Sequence, residues 1–161
     1  MLIPSPGLYV PPHLAIKEDP EKGLVVIARE LIPEGDNICE LFFDGLQPQA
    51  AASGVSIQIA KDLFLNNRLG TIDDYFNHSC DPTARINWRR YTFDAVRPIA
   101  PGEEITWNYL TTELDLEGRG QAFACKCSSE RCLKQIRGFK YLSPSQRDEL
   151  RPYLSSFLRT L

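Results

Sequence analysis

A mainly β domain, of the β-rich α+β kind with one helix at its end, is what the sequence predicts. Three observations point there. Short runs rich in Val, Ile, Phe and Trp recur between turn signals such as Ile32-Pro33-Glu34-Gly35 and Pro98-Ile99-Ala100-Pro101-Gly102, the pattern of many small strands. No long helical period competes with them before residue 143. The 161 residues, 43% hydrophobic and 24% charged, suffice for one domain that buries a core without staples.

The first 22 residues are proline-rich and read as irregular, with one short strand at 7–10. Residues 23–28, Gly-Leu-Val-Val-Ile-Ala, read as a buried strand, and 37–43 as a second one closed by Asp44-Gly45. The stretch 47–54 reads as loop. Residues 55–59 alternate apolar with polar, as a half-buried strand does, and 63–65 supply a hairpin partner. Further on, 84–88 and 91–96 flank Arg89-Arg90 as a hairpin, and 105–107 form a last short strand. The end changes character. Ser143-Pro144-Ser145-Gln146 has the form of a capping box with Pro at the first helical position. Leu150, Tyr153, Leu154, Phe157, Leu158 and Leu161 follow at helical spacing as one apolar face, which is expected to dock on the sheet. Pro152 is expected to kink that helix or split it in two.

Composition narrows the function classes. No run approaches the length of a transmembrane helix and the start lacks a signal peptide's basic region, so an intracellular, soluble protein is expected, nuclear or cytoplasmic. The net charge of −3 offers no global positive field for a phosphate backbone, which disfavours nucleic acid as partner and suits a basic, lysine-bearing one. Five cysteines in a chain without an export signal argue for reduced thiols. Cys39 lies in an apolar stretch and reads as a small buried hydrophobe.

Chemistry concentrates in three stretches. Asp74-Tyr75-Phe76-Asn77-His78-Ser79-Cys80-Asp81-Pro82 sets donors, acceptors and metal ligands side by side, poor material for a strand or helix interior and good material for a site. Glu103-Glu104-Ile105-Thr106-Trp107-Asn108-Tyr109 is the second. The third, Cys125-x-Cys127-x4-Cys132, gives three thiolates at close spacing among polar neighbours, one short of the tetrahedral set of a structural zinc. His78, Cys80, His13 and Cys39 are candidates for the fourth ligand. Cys80 fits best, because four thiolates make a common closed site and the bond would draw the tail onto the central stretch.

Together these stretches resemble the SET-domain protein lysine methyltransferases with a post-SET zinc segment. The resemblance rests on Asn77-His78-Ser79-Cys80-x-Pro82, then Gly102-Glu103-Glu104-Ile105-Thr106-x-x-Tyr109, then the cysteine tail. An earlier element, Lys22-Gly23 before a strand ending in Ala28-Arg29 and followed by Ile32-Pro33-Glu34-Gly35, is similar to the family's first cofactor motif. The resemblance covers about residues 20–135. It implies a SET-type fold of several small β-sheets with a pseudoknot, in which the segment carrying Tyr109 passes beneath a loop. It divides the chain into an irregular flank (1–19), a SET domain (20–110), a post-SET zinc segment (111–137) and a C-terminal amphipathic helix (138–161).

The same resemblance implies methyl transfer from S-adenosylmethionine to a lysine ε-amine of a protein, a histone or other basic protein being the type of substrate. Tyr109 takes the catalytic place. Lys22, Gly23, Leu24, Val25, Tyr75, Asn77, His78, Phe123 and Leu133 fall at cofactor-binding positions, and Phe43, Trp107 and Tyr109 at the lysine channel. The zinc residues carry over as Cys80, Cys125, Cys127 and Cys132. Several positions depart from the pattern. Val25 stands where a second glycine is usual, Asp74 where many members have Arg, Thr83 where Asn often follows the Pro, and Phe43 where a tyrosine is common. Trp107 replaces the Phe or Tyr that tunes methyl number, and its bulk would favour fewer methylations. These departures motivate the alternative of a catalytically weak or inactive SET-fold interaction module. A nucleic-acid-binding zinc module is disfavoured by the charge, and a Cys/His nucleophile by the same Cys80 serving as a metal ligand.

Overall fold

A computed structural model describes residues 7–43, 45–48, 56–66 and 70–161. In chain order the strands are β1 (Leu14–Asp19), β2 (Gly23–Ala28), β3 (Asn37–Glu40), β4 (Gly45–Pro48), β5 (Ile57–Ala60), β6 (Leu63–Asn66), β7 (Asn77–His78), β8 (Ala84–Asn87), β9 (Thr92–Ala95), β10 (Thr106–Trp107), β11 (Phe123–Ala124) and β12 (Gln135–Ile136). One α-helix, α1 (Pro144–Leu150), follows. The small sheets and the single late helix bear out the predicted class. Contacts divide the chain into two compact units, one with β1–β3, β7–β10 and Lys126–Cys132, the other with β4–β6, Tyr109–Cys125 and the C-terminal segment.

The first unit holds a β1–β2 hairpin, a three-stranded sheet in the order β3-β9-β8, and a parallel pair of β7 with β10. The hairpin turns where the Asp19 carboxylate accepts the amides of Glu21 and Lys22, each at 2.9 Å. Those two bonds hold the Asp19 carboxyl below the usual range. Gly23 then leaves the turn with φ 82°, a conformation that a Cβ would disfavour. Val26, Ile38, Phe76, Phe93, Ile99 and Ile105 are fully buried. Phe76 and Trp107 each form a T-shaped pair with Phe93, at centroid distances of 5.2 and 5.7 Å, an arrangement aromatic quadrupoles favour.

The second unit is built on the sheet β4-β6-β5 and the β11–β12 pair. Phe64, Leu110, Ile136 and Leu158 are its buried centre. Helix α1 begins as predicted. The Gln146 amide donates to Ser143 Oγ at 3.3 Å, and Gln146 Oε1 accepts the Ser143 amide at 2.8 Å.

Four expectations are corrected. Residues 8–10 form no strand, while β1, not foreseen, lies at 14–19 beyond the Pro11-Pro12 that masked its start. The second strand ends at Glu40 instead of 43, and β4 at 45–48, which takes in Gly45 of the expected turn and positions 47 and 48 of the expected loop, pairs with β6. The turn residue Asp44, positions 49–54 of that loop and Val55 lie outside the described residues. The terminal helix is one short piece. After Leu150 come a 3₁₀ turn at Arg151–Tyr153, extended backbone at Leu154 and another 3₁₀ turn at Leu158–Thr160, since Pro152 lacks the amide a continuing helix needs. Of the apolar face, Leu154 and Leu158 are buried while Tyr153 and Leu161 are 38% and 66% exposed. Among the described residues no helix is long and apolar enough to cross a membrane.

Candidate functional site

The central stretch enters its place through a 3₁₀ turn at Ile72–Tyr75. Asp74, where the resemblance led one to expect Arg, caps this turn by accepting the Thr71 amide on Oδ2 at 3.0 Å. Asp73 beside it is buried and takes a hydrogen bond from the Thr71 hydroxyl. Burial is the main cause that pushes its carboxyl up to about 7.

Asn77 and His78 were read as unsuited to a strand, yet they form β7, in register with Thr106 and Trp107. This parallel pair is what the described residues carry of the expected crossing of distant segments. It is locked from both sides. The Ser79 amide donates to the Trp107 carbonyl at 3.0 Å. The buried Thr83 hydroxyl donates to the Glu104 carbonyl at 3.0 Å and accepts the Thr106 amide at 2.9 Å. Thr83 thus serves as a stitch where Asn is common elsewhere.

The Asn77 amide group donates to the Leu24 carbonyl and to Glu104 Oε1, both at 3.0 Å. Glu104 Oε2 accepts the Lys22 ammonium at 2.5 Å. Partial burial works against the Lys22 charge, but the Glu104 carboxylate outweighs it and leaves the ammonium's pKa raised. Gly23 and Leu24 lie beside this group on β2, and the Val25 side chain is buried. His78 is also buried, and burial drives its pKa down to about 3, so the ring is neutral at physiological pH. Its Nε2 lies 3.4 Å from Cys80 Sγ.

The sulfur atoms of Cys80, Cys125, Cys127 and Cys132 all lie within 4.8 Å of one another. A tetrahedral zinc with Zn–S bonds of about 2.3 Å sets its sulfurs roughly 3.8 Å apart, so four thiols of this spacing fit that ion. The loop turns tightly at Ser128, with φ 56°, and the Cys132 amide donates to the Ser129 carbonyl at 3.0 Å. Of the other candidates for the fourth ligand, His78 lies against Cys80 and the remote two go elsewhere. His13 Nε2 bonds the Ile38 carbonyl at 2.8 Å, and Cys39 is buried, its thiol pushed up by burial.

In the second unit Tyr109 opens a 3₁₀ turn, and its carbonyl accepts the amides of Thr112 and Glu113 at 3.1 and 2.9 Å. Its ring meets Phe123 edge-on, 6.0 Å between centroids. Phe123 is held by pairing with Ile136, and Leu133 is half-buried just before β12. Phe43 is exposed at 38%. Tyr75 is half-buried at the end of its 3₁₀ turn, and Trp107 is buried against Phe93.

Sequence reading missed the polar group at the centre of this unit. Glu113 and Arg119 form an ion pair with only 6% and 8% of their side chains exposed. Glu113 Oε1 accepts the Gln58 amide at 2.9 Å, Gln58 Oε1 accepts the Leu114 amide at 2.9 Å, and the guanidinium lies 4.7 Å from the Phe64 ring centroid. Burial raises the Glu113 pKa, against the pull of Arg119. No spacing rule would have exposed it, since Gln58 and Glu113 stand 55 positions apart.

Comparison with known proteins places this geometry. The family profile described as SET domain matches residues 23–110, more than half of the chain. The chain is 30% identical over 109 residues to Methyltransferase flvH of Aspergillus flavus, covering 65% of this chain and 54% of that protein. It is 33% identical over 130 residues to Histone-lysine N-methyltransferase set9 of Schizosaccharomyces pombe, covering 73% of this chain and 27% of that one. With Histone-lysine N-methyltransferase Set2 of Drosophila melanogaster the identity is 41% over 75 residues, 43% of this chain and 3% of that protein. The chain therefore spans about half, or much less, of the curated relatives it matches. Among solved structures, KRYPTONITE in complex with mCHG DNA and SAH aligns with a TM-score of 0.63 at 25% identity, covering 76% of this chain and 28% of that one. The methyltransferase domain of human SETMAR aligns with a TM-score of 0.59 at 18% identity, covering 78% and 58%.

Proposed function

The chain belongs to the SET domain family, and from that premise we propose that it transfers a methyl group from S-adenosylmethionine to a lysine ε-amine of a protein substrate. The observation that carries the reading is the parallel pairing of Asn77-His78 with Thr106-Trp107. It builds the two most telling stretches into one element, and that element leads directly to Tyr109.

S-adenosylmethionine, when bound, supplies a methyl on a positively charged sulfur. Free lysine has a pKa of about 10.4, so the target amine must shed its proton first. An apolar channel and a neighbouring positive charge both favour the neutral amine. The chain's own residues are then asked for alignment and exclusion of water more than for acid–base work. We assign Asn77, His78, Tyr75, Phe123, Leu133 and the backbone of 22–25 to binding the methyl donor, and the Tyr109 hydroxyl to orienting the reacting groups. A neutral, buried His78 suits a binding surface better than a proton carrier. Phe43 and Trp107 are assigned to the lysine channel. The four cysteines would hold a structural zinc that ties residues 126–132 to Cys80. The substrate is read as a lysine-bearing basic protein of the histone type, in keeping with the printed names of set9 and Set2.

Calorimetric titration with S-adenosylmethionine tests the donor site. Saturable binding by the wild type that falls by tenfold or more in Asn77→Ala, on the order of one or two lost polar contacts, is the expected result. A wild type that takes up no S-adenosylmethionine would sink the reading.

A further inference from the structure

Where a helix stops decides where its side chains end up. Residues 138–161 carry four cationic and two acidic side chains, in a chain whose net charge is −3. Arg147 on α1 and Arg151 at the start of the 3₁₀ turn after it stand four positions apart, so they share a face. Pro152 then ends the regular backbone. Arg159, from the last turn, reaches back and donates through Nη2 to the Pro152 carbonyl at 3.0 Å. The three arginines line a hollow of about 380 Å³. Its floor is apolar, made by the buried side chains of Phe139, Leu154 and Leu158, and Leu161, 66% exposed, adds an apolar edge.

The charge in this hollow is not neutralised from within. Arg147 donates from Nε to the Leu142 carbonyl at 3.2 Å and from Nη2 to the Lys140 carbonyl at 2.6 Å, with its guanidinium 5.1 Å from the Phe139 ring centroid. Carbonyls orient a guanidinium without cancelling its charge, and these bonds use only part of its five N–H groups. Among the described residues Asp148 is the only acidic side chain that lines the hollow. It lies 3.9 Å from Arg151, too far for a hydrogen bond, and both side chains are at least 75% exposed, so water and salt screen the pair. Positive charge over an aliphatic floor selects a ligand that is anionic and apolar at once.

We propose that this hollow docks an acidic segment of a partner protein, with one bulky apolar side chain seated on Leu154 and Leu158 and flanking carboxylates on Arg151 and Arg159. A carboxylate matches the planar fork of a guanidinium, two N–H groups to two oxygens. The volume, at the lower end for ligand sites, holds such a side chain with its flanking backbone. A basic substrate of the kind assigned above is repelled here, so the docked segment is not the one that offers the lysine. Nucleic acid fits less well. The one ring in the floor, Phe139, is 4% exposed and covered by the Arg147 guanidinium, which leaves no face for a base to stack on. The inference stands apart from methyl transfer, and so does its test.

Fluorescence polarisation tests it with a labelled pool of short peptides, each holding a leucine or phenylalanine between paired aspartates and glutamates and random elsewhere. The wild type should bind the pool saturably, and several-fold more weakly at about 300 mM salt than at about 50 mM. Serine in place of the apolar residue should cost about tenfold or more, the scale of one buried large side chain. The double variant Arg151→Glu/Arg159→Glu should lose about tenfold or more, because attraction becomes repulsion. Arg151→Gln, a neutral change at a side chain 79% exposed, should lose about threefold and decides if the double variant does not fold. Thermal unfolding checks each variant. Binding that survives the charge changes, or that a pool with lysines in place of the acids matches, overturns the proposal. So does a wild type that binds no acidic peptide up to about 1 mM, whether or not it takes up a single-stranded oligonucleotide or phosphatidylserine vesicles.

Discussion

The chain contains two carboxylate–cation pairs of the same elementary chemistry in very different settings. Glu113–Arg119 is almost wholly buried, with the Gln58 amide donating to the second Glu113 oxygen and the Phe64 ring beneath the guanidinium. Lys22–Glu104 is partly open to solvent, and Glu104 uses its second oxygen to hold Asn77. Burial decides what each can do. A buried pair gains little over an apolar replacement, but breaking it strands a charge where water cannot reach. A half-open pair is screened and contributes little to stability, so its worth lies in the geometry it imposes on its neighbour. One pair closes a buried network, and the other braces a neighbouring amide.

That contrast breaks most readily at Glu113. Glu113→Ala should lower stability by about 3–5 kcal/mol, because Arg119 and the Gln58 amide lose their partner; urea unfolding monitored by Trp fluorescence measures it. A loss under about 1 kcal/mol would remove the buried pair from the account of the fold. Next in size is metal removal. Chelation should expose the amides of residues 120–135 to hydrogen exchange and weaken S-adenosylmethionine binding. Unchanged protection in the metal-free protein would show that the four thiols hold nothing.

A pH-dependent effect, with a defined sign, is expected at Asp73. Its folded pKa of about 7 lies above the ordinary value of about 3.9. Between those values the folded state holds the proton more tightly, so this group's contribution to stability falls as pH rises through the window. The Asp73→Asn variant should therefore gain on the wild type from pH 4 to 7, by at most about 1.4 kcal/mol per unit. Paired unfolding curves at pH 4.5 and 7.5 give the difference directly, and a constant difference would contradict the assignment. The smallest change in stability belongs to Lys22→Met, under about 1 kcal/mol for a pair of this exposure. Thermal melts should barely move while donor binding does, the reverse of the pattern at Glu113.

Much of this was legible in the sequence, for reasons particular residues make plain. The β5–β6 and β8–β9 hairpins announced themselves because alternation and turn residues are local. The capping box at Ser143 is local too. The four cysteines were legible because three stand within eight residues and zinc chemistry asks for a fourth. The β7–β10 pair was not, since two residues cannot display a period and parallel pairing carries no turn signal. Lys22 and Glu104 looked like separate motif residues, and only the fold brings them together. Asp74 and Thr83 looked like defects against the family pattern. Their hydrogen bonds instead give each a local role, as a 3₁₀ cap and as a stitch between segments.

The central claim is methyl transfer by this chain, and it has a direct measurement. Labelled S-adenosylmethionine is incubated with a histone mixture and either the wild type or Tyr109→Phe, donor binding is followed in parallel, and the modified residue is identified by mass spectrometry. The expected result is label on lysine with the wild type, loss of most of it with Tyr109→Phe, and near-equal donor binding by both. Full transfer by Tyr109→Phe would strip that tyrosine of its role. A wild type that binds the donor yet labels no lysine, in histones or in a whole-cell lysate, would contradict the claim itself.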